Sequence, residues 1–169
     1  MRFALLLFAA VAGFTAQAHS QGGAPLVLLL DGLGVYVENE YVGVSALAGP
    51  LRAQGFDTRV DTHFMRKTQG LTPDIIIGHS MGGSMAITYA REMVRAGKPA
   101  PLVIVLHGTP QTGADRRTRT SWPRVAGRGR FGVIYPAGLT RAWADRRPDS
   151  KRAGRPPPRI ALQLIRKVA

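Results

Sequence analysis

Pro73-Asp74-Ile75-Ile76-Ile77-Gly78-His79-Ser80-Met81-Gly82-Gly83 is the stretch on which the reading of this chain turns. Pro73 to Ile77 is a short β-branched run and predicts a buried strand. Beyond it Met85, Tyr89, Met93 and Val94 recur at helical spacing, and Gly97, Lys98 and Pro99 act as stop signals. Strand and helix therefore meet at Ser80. On so tight a turn, side chains two before and two after the serine would collide with neighbouring backbone, which glycine at 78 and 82 avoids and a third glycine, Gly83, continues. The same serine also suits an ordinary helix N-cap.

Working outward, Leu26 to Leu30 is a continuous apolar run that predicts another buried strand, ending in the turn Asp31-Gly32-Leu33-Gly34. Val44 to Gln54 reads as a helix closed by Gly55, with Gly49-Pro50 signalling a kink or a late start. Phe56 to Val60 is a more alternating strand, His63 to Leu71 a connection with at most one helical turn, and Leu102 to Leu106 another buried strand. Strands alternating with helices predict an α/β fold, a three-layer sandwich with a mostly parallel sheet covered on both faces. Ser80 then stands at the carboxyl edge of that sheet, where such folds bind ligands.

A serine on a strand-to-helix turn is suited to acyl transfer if it has a base, an acid to orient the base and donors for the oxyanion. The backbone N–H of Met81 is one candidate donor and that of Leu33, flanked by two glycines, is the other. His107 is the single histidine after Ser80, and it ends a strand; it reads either as an out-of-order base or as a histidine that merely terminates the strand. Asp115 is the first acid beyond it and reads as the orienting acid or as a solvated carboxylate among arginines. His79 is expected to pack away from Ser80, and His63 to serve a loop or surface role.

With those residues in place, the chain resembles the α/β-hydrolase superfamily in its lipase, esterase and thioesterase-like branch, over about residues 25–110. Gly78-His79-Ser80-Met81-Gly82-Gly83 resembles the family's nucleophile elbow. Leu28 to Gly34 is similar to its strand ending in His-Gly-x-Gly, with Asp31 in place of the histidine. Gly108-Thr109-Pro110-Gln111-Thr112-Gly113 is similar to a loop of some lipases, with Gln111 where they have histidine. The resemblance implies a Ser-acid-His triad that hydrolyses esters, thioesters or amides with no metal and no organic cofactor. It also implies the order serine, acid, histidine, which this chain departs from because no histidine follows Asp115, Asp145 or Asp149.

Composition divides the chain. Residues 1–106 hold 8 Lys/Arg against 7 Asp/Glu, whereas residues 107–169 hold 15 against 3, so nearly all of the net charge of +13 lies in the second part. Arg, Pro, Gly and Ala make up 35 of those last 63 residues, and from Gly108 to Arg159 no window keeps a period for long, although Phe131 to Tyr135 suits a short strand. Such residues have GC-rich codons, so a shifted reading frame yields the same composition; on that reading the chain is a fragment that keeps its nucleophile and lacks its base. The rival reading is a non-catalytic exported protein that contacts anionic surfaces weakly through these arginines.

Met1 to Ala18 has Arg2, an apolar run from Phe3 to Phe14 and then Ala16-Gln17-Ala18, the layout of a secretory signal peptide. The run falls short of the ~20 residues that span a bilayer. The expectation is export to the periplasm or medium, with residues 19–106 as the hydrolase-like core and 107–169 as a basic C-terminal region. The absence of cysteine excludes disulfides and thiolate-ligated metals. No Walker loop or metal-spaced His/Asp cluster is present; Gly32-Leu33-Gly34 lacks the third glycine of a dinucleotide loop, and Gly127 to Gly132 lacks its strand and helix. The expected partner is a small ester or thioester, not nucleic acid. No lid-sized apolar insertion precedes residue 107, which favours soluble esters.

Overall fold

The computed structural model describes residues 23–32, 43–108 and 113–136. Five strands form one sheet: β1 (Leu26–Asp31), β2 (Asp57–Thr62), β3 (Ile75–His79), β4 (Leu102–Leu106) and β5 (Val133–Ile134). Their order is β2-β1-β3-β4-β5 and every pairing is parallel. The helices are α1 (Ala48–Arg52), led in by a 3-10 turn over Gly43–Leu47, then α2 (Met81–Arg95), α3 (Gly113–Arg119) and α4 (Trp122–Gly129). An all-parallel sheet with helices is an α/β fold, as the alternation of apolar runs predicts.

Strand side chains alternate between two cores. Val27, Leu29, Ile75, Ile77, Ile104 and Leu106 pack with Val44, Leu47, Ala48 and Leu51 on one face. Leu28, Leu30, Ile76, Val103 and Val105 pack with Ala86, Ile87, Ala90 and Met93 of α2 on the other, where Ala126 and Phe131 join them. Most of the strand residues are 0% exposed. Burial of each such Val, Leu or Ile is worth about 1.5–3 kcal/mol, which is what holds the helices to the sheet.

The helix expected over Val44 to Gln54 divides: its α part begins late, at Ala48, after a 3-10 lead-in. Pro50 is the reason this works, because as the third residue of α1 its missing N–H is one of the four that a helix start leaves unpaired anyway. The connection from His63 to Leu71 is a series of turns in which Asp61 accepts the N–H groups of Thr62 and Lys67, both at 2.7 Å, and the Thr68 hydroxyl at 2.9 Å.

The larger correction concerns residues after 108. The expectation of a stretch without regular period does not hold for residues 113–136, which form two helices and a strand added beside β4. These elements are short; α4 presents Trp122, Val125 and Ala126, at i, i+3 and i+4, and is followed by Phe131, with Val133, Ile134 and Tyr135 of the strand segment packed against the two cores. Arg117, Arg124, Arg128 and Arg130 remain exposed, so the charge that dominates the composition is carried on the outer side of packed elements. Of the strand expected at Phe131 to Tyr135, Val133–Ile134 form β5. The signal-peptide expectation for residues 1–18 and the expectations for residues 137–169 lie outside the described residues. No helix among the described residues is long and apolar enough to cross a membrane.

Candidate active site

β1 is followed by a crossover to β2 on one side, and β3 by crossovers to β4 and β5 on the other. The chain thus diverges between the carboxyl ends of β1 and β3, the place where open parallel sheets leave a crevice. Ser80 follows the last residue of β3 and precedes the first residue of α2.

Its backbone is unusual. Ser80 has φ 53 and ψ −115 and makes no side-chain cap bond to α2. Those angles match the first central residue of a type II′ turn, a conformation dominated by glycine because Cβ crowds the backbone there. Holding a residue with a side chain there costs on the order of 1–3 kcal/mol, which surrounding structure must supply. The Ser80 N–H donates to the Leu106 carbonyl at the end of β4 at 3.1 Å. The glycines around it are places where backbones meet. A Cβ on Gly78 would lie 2.6 Å from the backbone nitrogen of Gly83, and one on Gly82 would lie 2.7 Å from the Leu30 carbonyl carbon. A Cβ on Gly83 would meet Val105 Cγ1 at 2.8 Å. The first turn of α2 is therefore wedged against β1, β3 and β4 together.

Two further glycines, which the sequence reading did not single out for this role, flank the serine side chain. A Cβ on Gly32, just after β1, would sit 2.9 Å from Ser80 Cβ, and one on Gly108, two residues after β4, would sit 3.6 Å from Ser80 Oγ. Their bare backbones leave room beside the serine side chain. Met81, 44% exposed, opens α2, so its N–H belongs to the first four helix amides, which lack intrahelical acceptors.

The structure thus brings Gly78, Ser80, Met81, Gly82 and Gly83 together with Gly32 and Gly108 at one edge of the sheet. Leu33, the other expected oxyanion donor, lies outside the described residues. His107 is fully buried directly after β4, its Nδ1 3.3 Å from the Gly108 carbonyl oxygen. His79 pairs with Leu106 in the parallel register, and Ser80 and His107 are the residues that directly follow this last pair. Asp115 stands partly buried in the first turn of α3. His63, expected at a loop or surface, is in a turn but only 7% exposed, its ring tilted by 38° against that of Phe64 with centroids 4.0 Å apart, and its backbone N–H donates to the Asp31 carbonyl at 3.1 Å.

Asp31 is the second feature the sequence left unexplained. It is 0% exposed; Oδ1 accepts the Val44 N–H at 2.7 Å and Oδ2 accepts the Ser45 hydroxyl. A carboxylate facing the N–H groups that open a helical turn is favoured by their partial positive charge. The sequence signal was present in Val44-Ser45, but a pairing across 13 residues has no local period to mark it. Among the described residues no group of His, Cys, Asp and Glu is arranged to hold a metal ion. No protein-family model matches the chain, and no curated protein or solved structure matches it either.

Proposed function

We propose that this chain is an exported serine hydrolase of the α/β-hydrolase type that cleaves a carboxylic ester or thioester through an acyl-enzyme on Ser80. The observation that carries the reading is the backbone of residue 80, φ 53 and ψ −115, on a glycine-packed turn at the switch point of a parallel sheet. An N-cap serine adopts the β region and bonds an N–H of the first helical turn. Ser80 does neither, so capping does not account for it.

In the proposed reaction Ser80 Oγ attacks the acyl carbon while its proton passes to a base. The carbonyl π pair moves onto oxygen, and that oxyanion accepts hydrogen bonds from the N–H of Met81 and of Leu33. Collapse breaks the bond to the leaving alcohol or thiol, which takes the proton from the base; water then repeats the sequence and frees the acid. We assign the base to His107, the residue directly after β4, and the orienting acid to Asp115. That order, serine then histidine then acid, differs from the family's. Export rests on the pattern of Met1 to Ala18.

The test is labelling with a fluorophosphonate, followed by peptide mapping, beside hydrolysis of short-chain p-nitrophenyl esters. Labelling at Ser80 that disappears in Ser80→Ala supports the nucleophile; a folded protein that neither labels nor hydrolyses refutes it. His107→Ala then decides the base. A labelling rate unchanged in that variant removes His107 from the mechanism, leaving a serine with oxyanion donors alone and turnover slower by several orders of magnitude.

A further inference from the structure

We propose that the arginine face shared by α2 and α4 docks on the surface of an anionic phospholipid bilayer. The inference uses none of the residues around Ser80 and stands apart from the reading of that serine.

Charge is divided between the two halves of the described structure. The described residues up to Ser80 hold four Lys/Arg and four Asp, whereas those from Met81 on hold nine Lys/Arg against Glu92 and Asp115 alone. α2 is divided in the same way. Its Tyr89 hydroxyl donates to the Leu71 carbonyl at 2.6 Å, in the connection from β2 to β3, and Glu92, three residues on, shares that flank. Arg91 comes two residues after Tyr89, about 200° round the helix, and so lies on the opposite flank. That is the side on which α4 packs, since α4 leads into β5, beyond β4. Arg95 follows one turn after Arg91 and is exposed. In α4, Arg124 and Arg128 are again one turn apart, on the side away from the buried Ala126, and Arg130 is exposed just past the helix end. Both helices lead into strands that run parallel, so both end at the amino edge of the sheet, with Arg95 and Arg128 in their last turns.

Folding does not account for this arrangement. None of the five arginine side chains forms a hydrogen bond or ion pair among the described residues. Like charges one turn apart destabilise a helix. The carbonyl end of a helix favours Arg95 and Arg128, but Arg124 stands in the first turn of α4, where a cation is disfavoured. Arg91 Nε is buried without an acceptor, so its guanidinium is partly desolvated and attracts an anion more strongly than a fully hydrated one would. The exposed large hydrophobics of the described residues, Phe64 and Met81, follow the carboxyl ends of β2 and β3 and are not on this face. The partner is thus met by charge over a broad area, with neither an aromatic platform for unpaired bases nor an apolar stripe to enter acyl chains. A leaflet of anionic headgroups meets those terms, and each arginine held near it raises binding by about fivefold, so that five compound to about 10³-fold. The Met1 to Ala18 pattern is that of an exported chain, which meets leaflets rather than nucleic acid.

The full chain is sedimented with vesicles of phosphatidylcholine alone, or of phosphatidylcholine mixed with phosphatidylglycerol, at about 0.1 M and about 1 M salt, where charges are screened over about 10 Å and about 3 Å. It is expected to bind the anionic vesicles at low salt, to leave them at high salt and not to bind the neutral ones. Arg124→Gln/Arg128→Gln is expected to weaken binding by about 25-fold, and Arg91→Gln/Arg95→Gln by a similar factor. Arg52→Gln/Arg66→Gln removes as much charge, from α1 and from the connection after β2, and is expected to change binding less than about twofold. The exposed α4 pair has no tie to the fold, so its variant keeps or raises the melting temperature and decides alone if the α2 variant unfolds. No association with anionic vesicles, association undiminished at high salt, or equal losses in the α4 and control variants overturns the proposal. A lower melting temperature in the α4 variant assigns these arginines to the fold and overturns it too, as does a chain that holds a DNA duplex and leaves the vesicles unbound.

Discussion

Gly82→Ala tests the packing of the elbow directly. The new methyl carbon would lie 2.7 Å from the Leu30 carbonyl carbon and 3.0 Å from the Asp31 oxygen. Carbon atoms separate comfortably at about 3.5–4.0 Å, so the first turn of α2 must withdraw from β1 by roughly 1 Å. Both sides of the contact are backbone in regular structure, which leaves no flexible side chain to yield. Overpacking of this kind costs about 1–3 kcal/mol, and the absence of a yielding partner puts Gly82→Ala near the upper end. For a chain of this size that lowers the melting temperature by roughly 4–12 °C. The same withdrawal moves Ser80 and Met81 away from Gly32, and a misplacement of about 1 Å costs on the order of 10²-fold in rate. Gly127→Ala in α4 is the control. A Cβ there meets nothing within 4 Å, so it is expected to gain about 0.5–1 kcal/mol from helix propensity and leave any activity unchanged. Urea denaturation of wild type and both variants, run beside ester hydrolysis, gives the comparison. If Gly82→Ala is as stable as wild type, or if the two substitutions behave alike, α2 is not wedged against β1 and the argument from close approach fails.

Ser80→Gly is expected to stabilise the chain by about 1 kcal/mol while abolishing fluorophosphonate labelling, because glycine adopts φ 53 without strain; calorimetry and labelling read the two effects separately. Asp61→Ala leaves the Thr62 and Lys67 N–H groups and the Thr68 hydroxyl without their acceptor, and unfolding in urea should show a loss of about 2–4 kcal/mol. Burial pushes the Tyr135 hydroxyl up to about 12. The unfolded chain therefore loses that proton first, and stability present below pH 10 declines as pH rises from about 10 through 12. Tyr135→Phe should flatten this decline and, since the buried hydroxyl has no partner among the described residues, leave stability at neutral pH equal or higher.

Much of the fold was legible because its central strands are buried on both faces. Leu26 to Leu30, Ile75 to Ile77 and Leu102 to Leu106 are uninterrupted apolar runs bounded by turn residues, and each is a strand of the sheet. The helix after Ser80 was equally plain, since its apolar positions recur over four turns and Gly97 has φ 72 at its end. The two helices after residue 108 were not. A helix of seven or eight residues offers one apolar repeat, and here that repeat is set among arginines whose exposure says nothing about their backbone. Of the site, residues 78 to 83 could be read from spacing alone. Gly32 and Gly108 could not, because their place beside Ser80 is a property of strand order. Asp31 looked like a departure from a motif, whereas its partners came from a turn thirteen and fourteen residues away.

A type II′ geometry at position 80 has a consequence for which sequences this scaffold would accept. Glycine takes such a conformation most readily and asparagine and aspartate next, so the backbone favours none of them less than serine. A chain optimised for folding alone would drift to glycine at this place. Serine at position 80 is thus a burden that the packing of α2 carries, and its justification has to be sought in what a hydroxyl can do there.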